Sequence, residues 1–299
     1  MSKVLITGVT GFTGRYLAPK LAELGHEVHG TVYGEIDESV EGATALHALD
    51  VADREAVETA VASLCPEKVV HLAAIAFVGH REPDEMYRTN ILGTRNLFAA
   101  LTNAPRPPDS ILLASSAQIY GNAQDGILDE DAAVRPANDY SVTKVAAELA
   151  ATLYAKRLPL TIVRPFNYTG RGQSAHFLIP KIVEHVRKGA REIELGNLDV
   201  ARDFSDVRGV ADAYARLLAI PAAIGGIFNV CSGRAISIRE ILDLVRQISG
   251  HVLDVRVNPA FVRPDEVKSL RGSAAKLEGV IGPLDMPPFE ETLRWMLKD

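Results

Sequence analysis

The chain has 299 residues, 47% of them hydrophobic and 23% charged, the balance of a globular protein with enough length to bury a large core. A formal net charge of −6 excludes a broad nucleic-acid footprint, though a local cationic pocket for a phosphorylated ligand stays compatible with it. Two cysteines, Cys65 and Cys231, give no disulfide framework and fit a reducing compartment, and neither they nor the eight scattered histidines fall at metal-ligand spacing, so no metal site is expected.

The first strand pattern, Lys3–Thr7, runs at once into Gly8-Val9-Thr10-Gly11-Phe12-Thr13-Gly14 and a helix pattern near Thr13–Leu24. The opening holds no secretory h-region. Further strands are expected at Glu27–Val32, Lys68–Leu72, Ser110–Ala114 and Leu160–Arg164, with helices near Arg54–Leu64, Glu85–Leu101 and Asp139–Lys156. That alternation predicts an α/β fold, a doubly wound parallel sheet of the Rossmann type with helices on both faces. After Pro165 the rhythm changes. Helices near His176–Lys188, Val207–Leu218, Ser237–Ile248 and Phe289–Leu297 are separated by short strands and by loops rich in Pro and Gly. The expected organisation is a dinucleotide-binding domain over 1–165 and a smaller α/β substrate lobe over 166–299. A segment near 205–232 is expected to return to the main domain, since Phe228–Cys231 reads as a strand. The most apolar later run, Ala213 to Phe228, is broken by Arg216, Pro221 and paired glycines, which argues against a membrane span and for a soluble cytoplasmic protein.

The glycine run has the spacing G-x-x-G-x-x-G, between a strand and a helix. Glycines permit a tight turn and a close backbone approach, and the helix N-terminus favours a pyrophosphate. A dinucleotide cofactor is therefore expected. Its identity stays open between NAD and NADP, because the second strand, HEVHGTVYGE, has neither an acid nor an arginine at Thr31–Tyr33, and Glu35 and Asp37 lie just beyond. Asp50, in ALDVAD, is placed to accept from an adenine amine or to cap a helix.

The chemistry is expected from NDYSVTKVAAE and from Ser115-Ser116-Ala117-Gln118-Ile119-Tyr120-Gly121. Tyr140 and Lys144 are one helical turn apart, so phenol and ammonium share a face. A neighbouring cation favours a phenolate, which would draw Tyr140 toward a useful range. A hydroxyl at Ser116 can hold a substrate carbonyl while Tyr140 moves the proton. Tyr120 is expected to support the pocket wall.

Together TGVTGFTG, the HLAA stretch at His71–Ala74, Asn90, SSAQIYG, YSVTK and the RPFN at Arg164–Asn167 resemble the extended short-chain dehydrogenase/reductase family, whose members modify nucleotide sugars. The resemblance covers nearly the whole chain. It implies a catalytic triad of Ser116, Tyr140 and Lys144. It implies cofactor contacts from Gly8, Thr10, Gly11, Phe12, Thr13, Gly14, Asp50, Val51, Leu72, Ala73, Ala74, Tyr140, Lys144 and Pro165. The stretch Leu195–Phe204 resembles one shared by GDP-mannose 4,6-dehydratases and GDP-4-keto-6-deoxymannose reductases, and NVCSG with RPDEVKSLRGS looks most like the reductases. By that likeness Arg202 and Arg263 would meet the diphosphate of a GDP-sugar, Asn167 and Asn197 would line its site, and Glu266 would be a further substrate contact. Both arginines also have acids nearby and read equally as surface ion pairs. Where the dehydratases place a carboxylic acid, this chain has Gln118, and an amide cannot give and recover a proton as an acid does. The expected activity is NAD(P)H-dependent reduction of a GDP-4-keto-6-deoxy-hexose, giving GDP-rhamnose or GDP-6-deoxytalose. A nucleotide-sugar 4-epimerase is the alternative; a dehydratase or an inactive binding protein fits less well. The same resemblance implies a homodimer through a four-helix bundle.

Overall fold

The computed structural model describes residues 1–77, 79–80, 82–121, 126–261 and 268–298. In its first half lie β1 (Lys3–Thr7), α1 (Gly14–Glu23), β2 (Glu27–Val32), β3 (Ala45–Ala48), α2 (Arg54–Leu64), β4 (Lys68–His71), α3 (Pro83–Tyr87), α4 (Thr94–Asn103), β5 (Ser110–Ala114), β6 (Gly126–Leu128), α5 (Asp139–Thr152) and β7 (Leu160–Pro165). The second half holds β8 (Asn167–Thr169), α6 (Leu178–Arg187), β9 (Glu192–Leu195), β10 (Ala201–Asp206), α7 (Val207–Ala219) and β11 (Ile227–Val230). It ends with β12 (Ala235–Ser237), α8 (Ile238–Ser249), β13 (Asp254–Val257), β14 (Ser269–Gly272), α9 (Ala275–Ile281) and α10 (Phe289–Leu297).

Seven strands form one sheet in the order β11-β7-β5-β4-β1-β2-β3, each pair parallel. Buried on both faces, these strands need near-continuous apolar runs, which VLI in β1 and ILL in β5 supply. One face packs its core against α1 and α7, through Leu17, Leu21, Val210 and Leu217. The other packs against α2, α4 and α5, through Val57, Val61, Leu97, Phe98 and Ala151. Each fully buried Leu or Val in these layers contributes about 1.5–3 kcal/mol of transfer free energy. The sheet order reverses between β1 and β4, and the crevice outside the carboxyl ends of those two strands is where such sheets bind ligands.

The strand β11 pairs with β7 at the edge of this sheet, in the register Phe228↔Val163, and α7 packs beside α1. A second sheet, β12-β10-β14-β6, and the pair β13-β9 carry the remaining strands, with β8 also paired to β10. Their core is separate: Ile182, Ile193, Leu195, Ile241 and Leu293 bring α6, α8 and α10 together.

The helix α9 and the strand β6 were not expected, and three further elements in and beside the main sheet differ from expectation. A strand at Ala45–Ala48 was not expected, because TALHALD lacks a two-residue alternation; it is held as an edge strand by β2. The helix expected over Glu85–Leu101 is interrupted by a π-helical stretch at Arg88–Gly93, between α3 and α4. The helix expected to Lys156 ends at Thr152, although its start is fixed by the reciprocal cap between Asn138 and Ser141.

Candidate active site

The loop after β1 is shaped by its glycines. Gly8 has φ of 69°, and a Cβ there would stand 2.9 Å from the Ala73 Cα. A Cβ on Gly14 would stand 2.3 Å from the Val9 carbonyl oxygen, so the helix can begin against the strand only without a side chain. The loop is anchored to β2, with Gly8 N donating to Thr31 Oγ1 at 3.1 Å and Val9 N to Thr31 O at 3.1 Å. The backbone N–H groups of Thr10, Phe12 and Thr13 have no partner among the described residues. Unpaired amides at the start of a ten-residue helix, in a loop whose Gly8, Gly11 and Gly14 carry no side chain, fit a pyrophosphate. Phe12 stacks on Tyr168 at 5.8 Å, and Thr13 Oγ1 shares a 2.7 Å hydrogen bond with its hydroxyl.

The segment after β4 forms the facing wall. Leu72 N and Ala73 N donate to Thr7 O and Thr7 Oγ1, both at 3.2 Å, which fixes Leu72–Ala74 beside Gly8. Asn90, buried on the π-helical stretch, accepts from Ile75 N at 2.8 Å and donates to Ile75 O at 3.1 Å. Its amide also donates to Thr143 Oγ1 at 2.9 Å, which joins this wall to α5 between Tyr140 and Lys144. A π-bulge re-aims one side chain out of helical register, and here it turns Asn90 inward.

Ser116, Tyr140 and Lys144 are brought together and buried. Ser116 acts on the Tyr140 phenol, favouring its ionised form, and its Oγ accepts from Gln118 N at 3.1 Å. Lys144 Nζ donates to Ala114 O at 2.8 Å and stands 5.9 Å from the centre of the Tyr140 ring. Burial pushes the Tyr140 phenol up, against the smaller lowering effect of Ser116. Burial also pushes the Lys144 ammonium down, to about 8, with Glu148 opposing. The expectation that Lys144 draws the phenol down is therefore corrected: the cation is turned to a strand carbonyl, and desolvation governs both groups.

The remaining expected contacts are spread more widely. Asp50 and Val51 follow β3; Asp50 Oδ1 accepts from Ala52 N at 2.8 Å and Oδ2 faces Arg88 at 3.6 Å, while the cap of α2 is Asp53. Pro165 closes β7. Asn167, on β8, donates to Asp203 O at 3.2 Å. Asn197, in the turn after β9, accepts from Asp199 N at 3.1 Å. Arg202 is half-buried on β10, donating to Ala201 O at 2.8 Å. Its neighbour Asp203 is no ion-pair partner in the described contacts: it accepts from Ser232 N, Ser232 Oγ, Gly233 N and Gly272 N. Arg263 and Glu266 lie outside the described residues.

Tyr120 sits in the core at the end of the Ser116 turn. It is fully buried, donating to Asn229 Oδ1 at 2.8 Å and accepting from Arg164 Nη1 at 3.1 Å. Arg164 in turn grips Glu148 through two bonds of 3.0 and 2.8 Å. This network ties the Ser116 turn to α5, one turn beyond Lys144. Nothing local in SSAQIYG or RPFN distinguishes a buried network from a lined pocket; only the burial of Glu148 on the inner face of α5 would have indicated it.

A family model described as GDP-mannose 4,6 dehydratase matches residues 5–296. The chain is 34% identical to a GDP-6-deoxy-D-talose 4-dehydrogenase of Aggregatibacter actinomycetemcomitans, over 94% of this chain and 91% of that one. It is 31% identical to a GDP-6-deoxy-D-mannose reductase of Pseudomonas aeruginosa, over 99% and 96%. A crystal structure from Burkholderia cenocepacia J2315, described provisionally as an epimerase, superposes with a TM-score of 0.93 at 50% identity, covering 99% of this chain and 97% of that one.

Proposed function

The chain belongs to the GDP-mannose 4,6 dehydratase family, within the extended short-chain dehydrogenase/reductases, and on that premise we propose that it reduces the 4-keto group of a GDP-4-keto-6-deoxy-hexose with NADH or NADPH. The observation that carries the reading is the burial of Ser116, Tyr140 and Lys144 together, with Gln118 in place of an acid. Those groups serve ketone and alcohol exchange and leave elimination of a sugar hydroxyl without its acid. The sugars in the relatives' names, 6-deoxytalose and 6-deoxymannose, differ at the carbon this reaction would set.

Residues 8–14, 50–51, 72–74 and 165 would hold the dinucleotide, with the sugar nucleotide over residues 167, 197, 202, 263 and 266. We accordingly assign cofactor binding to 1–165 with the returning 205–232 segment, and the substrate to the rest. When bound, a reduced nicotinamide supplies a hydride to the 4-carbon. The protein's part is the oxygen. Gln118 N fills an acceptor position on Ser116 Oγ, leaving the hydroxyl proton for a carbonyl oxygen. A phenol pushed up by burial stays protonated at neutral pH, so Tyr140 Oη meets that oxygen as an acid and gives its proton as negative charge develops there. Lys144 supplies positive charge on the same helical face.

The proposal sets the enzyme in the cytoplasm; among the described residues no helix is long and apolar enough to cross a membrane. It also sets it as a homodimer. Leu149 and Leu153 on the α5 side are 65% and 81% exposed, and Leu92 and Val142 are exposed as well, apolar side chains suited to a second copy of this chain.

A 4-epimerase is the second reading, favoured by the description of the 50% identical Burkholderia structure. The two are separated by cofactor consumption. With GDP-4-keto-6-deoxymannose generated from GDP-mannose, the reductase oxidises one NAD(P)H per sugar. Absence of consumption, with NAD retained through purification, would transfer the assignment to the epimerase.

A further inference from the structure

In sheets of this type the 2′ position of the adenosine ribose is read at the end of the second strand, by an acid for NAD or by a nearby arginine for NADP. Here β2 ends without either. Thr31 is committed to the glycine loop, Val32 is buried, Tyr33 is 82% exposed, and Gly34 turns the chain with φ of 84°. The charges come instead from the segments on either side. Arg15, at the start of α1, donates through Nε to Thr10 O at 2.9 Å. Its Nη2 donates to Glu38, which lies on the loop from β2 to β3. A guanidinium and a carboxylate thus bridge the phosphate loop and the β2–β3 loop. Both stay accessible, with side chains 41% and 43% exposed. Arg15 Nη1 has no partner among the described residues, and the same holds for the carboxylates of Glu35 and Asp37.

We propose that the Arg15–Glu38 pair reads the ribose 2′ position in both directions, Glu38 accepting from the 2′-hydroxyl of NAD(H) and Arg15 exchanging Glu38 for the 2′-phosphate of NADP(H). The inference rests on dinucleotide binding at the glycine loop and goes beyond it by naming the residues that choose. An exposed ion pair is weak, so separating it is easily offset. A guanidinium fork matches phosphate oxygens with two charge-assisted hydrogen bonds, and a dianion outcompetes a single carboxylate for it. With Arg15 withdrawn onto Glu38, the pair is neutral and presents carboxylate oxygen to a hydroxyl. One exposed pair therefore accommodates either cofactor.

The test is the dissociation constant of NADH and of NADPH for the wild type, Arg15→Ala and Glu38→Gln, followed by quenching of Trp295, the single tryptophan, with a melting curve to confirm folding. Arg15→Ala should weaken NADPH by about ten-fold or more and leave NADH within about two-fold. Glu38→Gln should weaken NADH by about five-fold while leaving NADPH unchanged or tighter. Equal effects on the two cofactors, or none, would overturn the inference while leaving dinucleotide binding in place. A wild type that binds neither cofactor would overturn both.

Discussion

Ser116 and Tyr140 come from different elements, a turn after β5 and the first turn of α5, yet both are buried and the serine acts on the phenol against the upward push of burial. A carbonyl oxygen set against both would receive one hydrogen bond and one proton. Tyr140→Phe removes the proton and should lower kcat by about 10²–10⁴ with NAD(P)H binding retained, whereas Ser116→Ala should have a smaller effect. Single-turnover kinetics with cofactor titrations check both. A near-normal rate in Tyr140→Phe would remove the phenol from the chemistry.

Lys144 gives the pH dependence. Its folded pKa lies near 8, below the 10.5 of a free lysine, because burial disfavours the ammonium. Below 8 the buried charge is present and carries its full cost. Between 8 and 10.5 the unfolded chain binds more protons, so stability rises with pH. Relative to Lys144→Met, the wild type should gain on the order of 3 kcal/mol across that window, read from denaturant melts. Turnover should fall over the same rise, as the ammonium is lost near pH 8.

Glu148 and Arg164 pair bidentately in the core. Glu148→Ala leaves a buried guanidinium uncompensated and should destabilise the protein by about 3–5 kcal/mol. The double variant Glu148→Met, Arg164→Met should recover much of that loss. Urea unfolding of the wild type, Glu148→Met, Arg164→Met and the double variant measures the coupling, and simple additivity would contradict it.

Asn90 satisfies both backbone groups of Ile75 and reaches Thr143. Asn90→Ala leaves those groups unpaired, at a cost of about 1–3 kcal/mol, and frees the cofactor wall from α5. A lower melting temperature together with weaker cofactor binding is expected. A lower melting temperature alone would make Asn90 purely structural.

Leu149→Glu with Leu153→Glu should convert a dimer to monomers in sedimentation velocity, because two charges would be buried in an apolar interface. An unchanged sedimentation coefficient would exclude this face.

The legible parts of the chain were those where local pattern and tertiary role coincide. β1, β2 and β5 fall where their apolar runs lie, and the glycine loop reads directly because Gly8 and Gly14 tolerate no Cβ. The short strands of the second lobe were not placed individually, since three or four residues such as Ala235–Ser237 carry too little periodicity. The Lys144–Ala114 contact was not legible either: i,i+4 spacing shows that Tyr140 and Lys144 share a face, not which neighbour captures the ammonium. Nor could spacing tell that Asp203 is bound by four backbone and hydroxyl donors, because those donors lie 29 to 69 residues away.

The most direct test of the account is hydride transfer itself, using NAD(P)H deuterated at the transferring position with GDP-4-keto-6-deoxymannose and NMR of the product. The account predicts one deuterium at C4 of a 6-deoxyhexose and one oxidised cofactor for each sugar formed. Recovery of the 4-keto sugar unreduced, with the cofactor unchanged, would contradict it.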